Sequence, residues 1–186
     1  MVAGSMMRFS PSPSLPEVII IEPDLLRDHR GYFMETYHQE KFSAAGIDVR
    51  FVQDNQSMSS RGTLRGLHYQ INRPQGKLVR VLRGKIYDVC VDIRRSSPNF
   101  KKWFGVELTE DNKRELYIPP DFAHGFCVVS ETVEFAYKCT DFYFPDYERA
   151  IRWNDPDLAI DWPIQEPILS ERDASSPLLR DAELPE

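Results

Sequence analysis

The sequence predicts a single, mainly β domain of the sandwich or barrel type. Three observations predict it: short strand-like runs recur along much of the chain, Pro and Gly punctuate them, and strands do not alternate with helices as they would around a parallel sheet. The length agrees, since 186 residues fit one domain and suffice to bury a core. Apolar residues at 41% and charged residues at 28% exclude a disordered or fibrous chain. The 23 Lys and Arg against 29 Asp and Glu leave a net charge of −6, a field that opposes nonspecific binding to nucleic acid. An anionic ligand would need a local cationic pocket.

In chain order, residues 1–6 ahead of Met7 read as an added leader and residues 10–14 as a linker, so 1–14 is expected as a disordered tail and 15–186 as the domain. Residues 18–21 are a β-branched run closed by Glu22-Pro23, and Asp28-His-Arg-Gly31 supplies a turn before a second extended stretch at 32–37. Residues 39–45 are helix formers closed by Gly46, which tolerates the left-handed conformation of a helix C′ position. Strands are then expected at 50–57, 63–70, 77–82, 85–94, 103–108, 115–118, 125–130 and 133–140. Arg83-Gly84 reads as a two-residue hairpin making the strands on either side of it neighbours. After Pro156 the strand pattern fades, Pro163, Pro167 and Pro177 break the chain, and residues 176–183 read as a Ser-capped terminal helix with Pro at its first position. Cys90, Cys127 and Cys139 show no CxxC spacing and sit in apolar runs, as expected of buried free thiols in a reducing cytoplasm. No apolar run approaches the roughly 18 residues of a membrane span, and the start lacks the pattern of a signal peptide.

The densest chemistry lies in Thr63-Leu-Arg-Gly-Leu-His68-Tyr-Gln70. Strict alternation would send His68 and Arg65 to opposite faces, whereas a bulge at Gly66 would let both reach one pocket. An imidazole near pKa 6.5 suits a base working near neutral pH, although a lone His in a strand is also an ordinary hydrogen-bonded residue. An HxH pair of the kind that metal-binding barrels use is absent: His68 is followed by Tyr and Gln, His124 is isolated, and His29 and His38 lie far upstream, so no metal is expected.

That segment resembles the signature of the dTDP-4-dehydrorhamnose 3,5-epimerases. So do Asp28-His-Arg30-Gly-Tyr-Phe-Met-Glu35, Phe51-Val-Gln-Asp-Asn55, Gln75-Gly-Lys77-Leu-Val-Arg80, Asp88 to Arg95, Pro119-Pro-Asp-Phe-Ala-His124-Gly-Phe126, Tyr137-Lys-Cys-Thr-Asp141 and Trp153-Asn-Asp155, in the family's order, from about Val18 to Asp173. The resemblance makes the mainly β domain a cupin-type jelly roll, to which the residues themselves add a few short helices and a C-terminal helical extension. It also implies epimerisation at C3 and C5 of dTDP-4-dehydro-6-deoxy-D-glucose without a cofactor, in a homodimer paired through residues 18–21 and 32–37. It makes His68 the base, Asp173 its carboxylate partner and Tyr137 the proton donor. It places Lys77 and His124 at the C4 ketone, Arg30, Arg65 and Arg172 near the diphosphate, and Glu35, Gln53, Asn55 and Glu148 around the sugar and nucleotide. Phe142 or Tyr143 would stack on the base. At position 172 the family more often has Lys.

Read without the resemblance, four of these residues have another explanation. Ser170-Glu-Arg-Asp173 also fits a helix capping box, Tyr137 a packed strand aromatic, Lys77 a solvated charge and His124 a turn residue. A C3-only epimerase of the same fold and a non-enzymatic sugar-nucleotide-binding cupin are the competing functions. Tyr137 argues against the related ketone isomerases, which lack that donor.

Overall fold

The computed structural model describes residues 7–186. Its strands are β1 (Arg8–Pro11), β2 (Ile19–Glu22), β3 (Leu26–Asp28), β4 (Gly31–Phe33), β5 (Gln53–Ser60), β6 (Leu64–Gln70), β7 (Lys77–Arg83), β8 (Lys85–Asp92), β9 (Trp103–Thr109), β10 (Glu115–Ile118), β11 (Phe122–Val128), β12 (Thr132–Cys139) and β13 (Glu148–Ala150). One antiparallel sheet has the order β1-β2-β10-β7-β12-β5, the other β13-β6-β11-β8-β9, and β3 and β4 form a separate hairpin. The chain passes back and forth between the two sheets, the jelly-roll arrangement the sequence leads one to expect. Helices α1 (Gln39–Ala44) and α2 (Glu171–Ala174) are short.

Most strands fall within two or three residues of their expected places, and four expectations need correction. The leader lies outside the described residues, but the linker-like stretch is partly a strand: β1 pairs with β2 from Arg8↔Glu22 to Pro11↔Ile19, so order begins before Leu15. Residues 32–37 are strand only to Phe33. Arg83-Gly84 does not close a hairpin. It is a corner carrying the chain from β7 in one sheet to β8 in the other. The groups that would close a hairpin are engaged elsewhere, Gly84 N–H by Glu110 Oε1 and Lys85 N–H by Ser130 Oγ. Gly84 has φ +87°, and a Cβ there would lie 2.2 Å from the Thr132 carbonyl oxygen. The terminal helix shrinks to one 3₁₀ turn at Leu179–Asp181, because Leu179 N–H donates to the Asp155 carboxylate and Ser176 Oγ donates to the Arg172 carbonyl instead of capping.

Three apolar layers hold the sheets. Between them lie Val79 and Val81 of β7, Ile86 and Cys90 of β8, Phe126 and Val128 of β11, and Val133 and Phe135 of β12. The outer face of the five-stranded sheet is covered by the C-terminal segment, whose Ile151, Leu158, Trp162 and Leu179 pack on Leu67, Val89, Val91 and Cys127. With both faces covered, every residue of β11 is buried. On the outer face of the six-stranded sheet, Phe42 of α1 packs with Ile21, Leu78 and Tyr117, and the rings of Tyr37 and Phe9 meet it edge-on at 4.9 and 5.2 Å. The three cysteines are free and buried, as their apolar runs predict. No helix among the described residues is long and apolar enough to cross a membrane.

Glu115 on β10 departs from this pattern. It is fully buried, and neither carboxylate oxygen has a hydrogen-bond partner. Burial pushes its carboxyl up to about 8 from an ordinary 4.5, against the pull of Arg80 and Lys138. Between those two values the folded chain holds a proton that the unfolded chain has released, so stability falls as pH rises and levels off above about 8. We expect a decline approaching about 1.4 kcal/mol per pH unit in that window, and Glu115→Gln should flatten it. Urea titrations at about pH 5, 6.5 and 8 test this; parallel pH profiles for the two proteins would contradict it.

Candidate active site

The site begins with the bulge the sequence anticipates at Gly66. Strand β11 pairs with β6 as His124↔His68 and Phe126↔Arg65, so β6 has one more residue than β11 between those pairs. The backbones nearly touch at this point. A Cβ on Gly66 would come 2.6 Å from Gly125 Cα, and one on Gly125 would come 2.7 Å from the Arg65 carbonyl oxygen. Only glycine fits on both sides, and the extra residue brings Arg65 and His68 to the same depression, shared with Asp173.

Asp173 reaches His68 from across the chain because residues 151–170 run over the outer face of the sheet and dock beside β6. Leu64 N–H donates to the Ile168 carbonyl at 3.0 Å, and Ile168 N–H to the Gly62 carbonyl at 2.8 Å. Ser170 then caps α2, its Oγ accepting from Asp173 N–H at 3.1 Å. The turn is capped by Ser170, but the Asp173 carboxylate turns toward His68, its Oδ1 2.6 Å from Nε2. Burial alone would raise the Asp173 carboxyl. Hydrogen bonds from His68, Ser170 and the Gly66 N–H, with the His68 charge, outweigh it and hold the group below the ordinary aspartate value. An ionised Asp173 accepts the Nε2 proton and leaves Nδ1 of His68 with its lone pair.

His68 looks into a cavity of about 350 Å³. The facing wall comes from the six-stranded sheet: Tyr137 of β12, Lys77 of β7, Gln53 and Asn55 of β5. Burial raises the Tyr137 phenol above its ordinary value, with Cys139 adding to the shift, so it is protonated at neutral pH. Burial lowers the Lys77 ammonium, opposed by Cys139, Glu148 and Asp88. No hydrogen bond is among the causes of that shift, and a buried ammonium without one is costly. Gln53 and Asn55 are joined by a 3.1 Å hydrogen bond, and Asn55 also donates to Cys139 Sγ.

At the mouth, Glu148 Oε2 accepts from the Tyr143 hydroxyl and from Arg172, each at 2.5 Å. Burial would raise this carboxyl, but the two donors keep it below the ordinary glutamate value. Arg65 stands near the rim, with Nε donating to Ser59 Oγ at 3.1 Å.

Three residues named from the sequence lie elsewhere. Arg30 is in the exposed β3–β4 hairpin, paired with Asp28 at 2.5 Å, and Glu35 pairs with Lys41 at 2.7 Å; neither lines the cavity. His124 lies behind the cavity, buried, with Nε2 2.8 Å from Asp88 Oδ2. Of the two aromatic candidates Tyr143 lines the cavity and Phe142 does not. Sequence reasoning gave no role to Gln75 or Asp88. Gln75 could have been found from its place two residues before Lys77; Asp88 sits in an apolar run that gives no such signal. Among the described residues, no group of three or more His, Cys, Asp or Glu is placed to share a metal ion.

Comparison with known proteins bears on this geometry. The sequence model of the dTDP-4-dehydrorhamnose 3,5-epimerases matches residues 12–181. A protein of that description from Pseudomonas aeruginosa is 54% identical over 172 residues, covering 91% of this chain and 95% of its own. The crystal structure of a dTDP-6-deoxy-D-glucose-3,5-epimerase from Legionella pneumophila, in complex with dTDP-4-keto-L-rhamnose, superposes with a TM-score of 0.94 at 48% identity, covering 97% of this chain and 98% of that one. A dTDP-4-dehydrorhamnose 3-epimerase from Streptomyces niveus is less similar, 39% identical over 164 residues, 87% of this chain and 79% of its own. The match runs through every strand that walls the cavity and through the turn carrying Asp173, and the chain belongs to the dTDP-4-dehydrorhamnose 3,5-epimerase family.

Proposed function

We propose that the protein inverts C3 and C5 of dTDP-4-dehydro-6-deoxy-D-glucose to give dTDP-4-dehydro-L-rhamnose, with no cofactor. The observation that carries this reading is the opposition of a carboxylate-oriented imidazole on one sheet and a protonated phenol on the other across one cavity. The hydrogens on C3 and C5 are acidic because the C4 ketone can take up the electron pair as an enolate. His68 Nδ1 removes the proton from one face, and the imidazolium is stabilised by Asp173. Tyr137 then returns a proton to the other face, and solvent restores both groups. Lys77 faces the enolate oxygen, where its charge counts most in a site with little water. Arg172 and Arg65 suit the diphosphate, since a guanidinium presents paired donors to phosphate oxygens. Glu148, Gln53 and Asn55 would bind sugar and nucleotide, with Tyr143 stacking on the base.

Arg30 and Glu35 join this scheme through a second copy of the chain. The β3–β4 hairpin exposes Leu26, Tyr32 and Phe33 and stands apart from its own cavity, which suits a segment that packs on a partner. We read the enzyme as a homodimer of the cytoplasm, where three free thiols stay reduced. The 3-epimerase relative from Streptomyces niveus keeps C3-only epimerisation as the rival reading, because a single base and acid could serve one carbon or two.

Incubating the purified enzyme with dTDP-4-dehydro-6-deoxy-D-glucose in D₂O decides between them. Deuterium at both C3 and C5 by NMR is expected; deuterium at C3 alone would assign the rival activity, and none at either carbon a binding protein. The two catalytic roles separate in variants. His68→Ala should neither exchange hydrogen with solvent nor form product. Tyr137→Phe should still place deuterium in recovered starting sugar while forming inverted product about 10²-fold more slowly or worse. Normal inversion by Tyr137→Phe would reduce that residue to a packed aromatic. For the assembly, light scattering at micromolar concentration should give twice the chain mass; a fully active monomer would refute the shared site.

A further inference from the structure

The loop that carries Tyr143 has left both sheets, yet its backbone is held. It joins β12 to β13, and three glutamine side chains engage four consecutive residues of it. Gln75 Nε2 donates to the Asp141 carbonyl at 2.8 Å, and Gln70 Nε2 to the Phe142 carbonyl at 3.1 Å. The Oε1 atoms of Gln53 and Gln70 accept from the N–H groups of Tyr143 and Phe144 at 2.9 and 2.8 Å. Gln70 is the centre of this arrangement. It follows His68 by two positions on β6, is 5% exposed, and grips the chain on both sides of Tyr143. Its Nε2 also donates to the Arg73 carbonyl at 2.5 Å, so one amide ties the turn after β6 to the loop after β12. These partners fix the amide's orientation: turned over, its oxygen would face two carbonyls and its NH₂ an N–H.

The Tyr143 ring is half exposed, and an exposed ring on a loop is ordinarily free to swing. Here its hydroxyl is bonded to Glu148 at the cavity mouth and its root is held by Gln70. The Arg73–Asp141 pair, at 2.6 and 2.7 Å, joins the same two segments, but an ion pair in solvent contributes little. A buried amide with donor and acceptor both engaged counts for more, because its removal leaves its partners unsatisfied. Gln70 is not among the residues that line the cavity. Resting on the epimerase reading, we propose that Gln70 is a positioning residue for nucleotide binding, holding Tyr143 in place before the ligand arrives so that the base stacks on a ring already ordered. Gln70 acts through Tyr143 and touches no reacting atom. Ordering the ring in advance lowers the entropy lost on binding, so its effect falls on affinity and not on proton transfer.

The test measures dTDP affinity by calorimetry in the full-length wild type, Gln70→Leu, Tyr143→Ala and the double variant. Gln70→Leu removes the amide and keeps the bulk. It should weaken dTDP binding about tenfold and raise KM for dTDP-4-dehydro-6-deoxy-D-glucose by a similar factor, with kcat changed less than about twofold. In the Tyr143→Ala background the same substitution should change dTDP affinity less than about twofold, because the ring it positions is gone. Unchanged affinity in Gln70→Leu would overturn the proposal. So would an equal loss with and without the Tyr143 ring, or a fall in kcat with KM intact, which would make Gln70 a structural residue of β6. Amide hydrogen exchange in the wild type decides even if Gln70→Leu does not fold. The N–H groups of Tyr143 and Phe144 should exchange at least about tenfold more slowly than in an unstructured chain, and exchange at the unprotected rate would refute the clamp. A wild type that binds dTDP with this dependence on Gln70 but labels neither C3 nor C5 would refute the epimerase reading and uphold the proposal.

Discussion

The active site depends on the contact between Gly66 and Gly125, where two backbones approach with no side chain between them. Three things follow from it. The extra residue in β6 brings Arg65 and His68 to one depression, the Gly66 N–H becomes free to bond Asp173, and β11 comes close enough to set His124 directly opposite His68. A methyl group on either glycine would push the strands apart by a distance that no rotamer change could absorb, since the atoms it meets are backbone. The geometry of the candidate site is thus fixed by the least chemically active residues in it.

The barrel interior mixes apolar and ionisable residues along the same strands. On β8 Asp88 lies between Ile86 and Cys90, and on β11 His124 lies between Phe122 and Phe126, all four members of the apolar layer between the sheets. That apolar surround supplies stability that offsets burying the ionisable groups. Burial keeps the Tyr137 phenol protonated and disfavours the charged form of Lys77, so the desolvation that makes these groups costly also moves both away from their ordinary titration. Phe135 joins the two kinds of residue, its ring set against both His124 and Tyr137.

The sequence carried much of this, unevenly. Strand positions were legible because alternating apolar residues and Pro or Gly breaks report a half-buried sheet, and the Gly66 bulge was legible because glycine beside Arg and His in a strand has few other uses. Arg83-Gly84 was misread because glycine reports a positive φ but not which strands it separates; the partners that turn it into a corner, Glu110 and Ser130, lie 26 and 45 residues away. β1 was missed because Pro11 and the serines dominate local composition, while the pairing comes from β2. The terminal helix failed for the same kind of reason, since Asp155 takes the Leu179 N–H from 24 residues upstream. Of the site residues, those in short motifs were found. Asp88, in a run of apolar neighbours, carried no local signal, and its meaning depends on a strand pairing with His124 across 36 residues.

The separation of 105 positions between His68 and its partner Asp173 makes their pairing depend on the last part of the chain. Both sheets are complete once β13 has been laid down, yet Asp173 arrives only after residues 151–170 have crossed the outer face of the sheet and Ser170 has capped its turn. Up to Ala150 the chain supplies His68 and Tyr137, but the carboxylate that pairs with the imidazole comes only from the segment beyond. The His68–Asp173 pair thus belongs to the docking of the C-terminal segment rather than to the sheets, and loss of that docking would break the pair while leaving every strand in place.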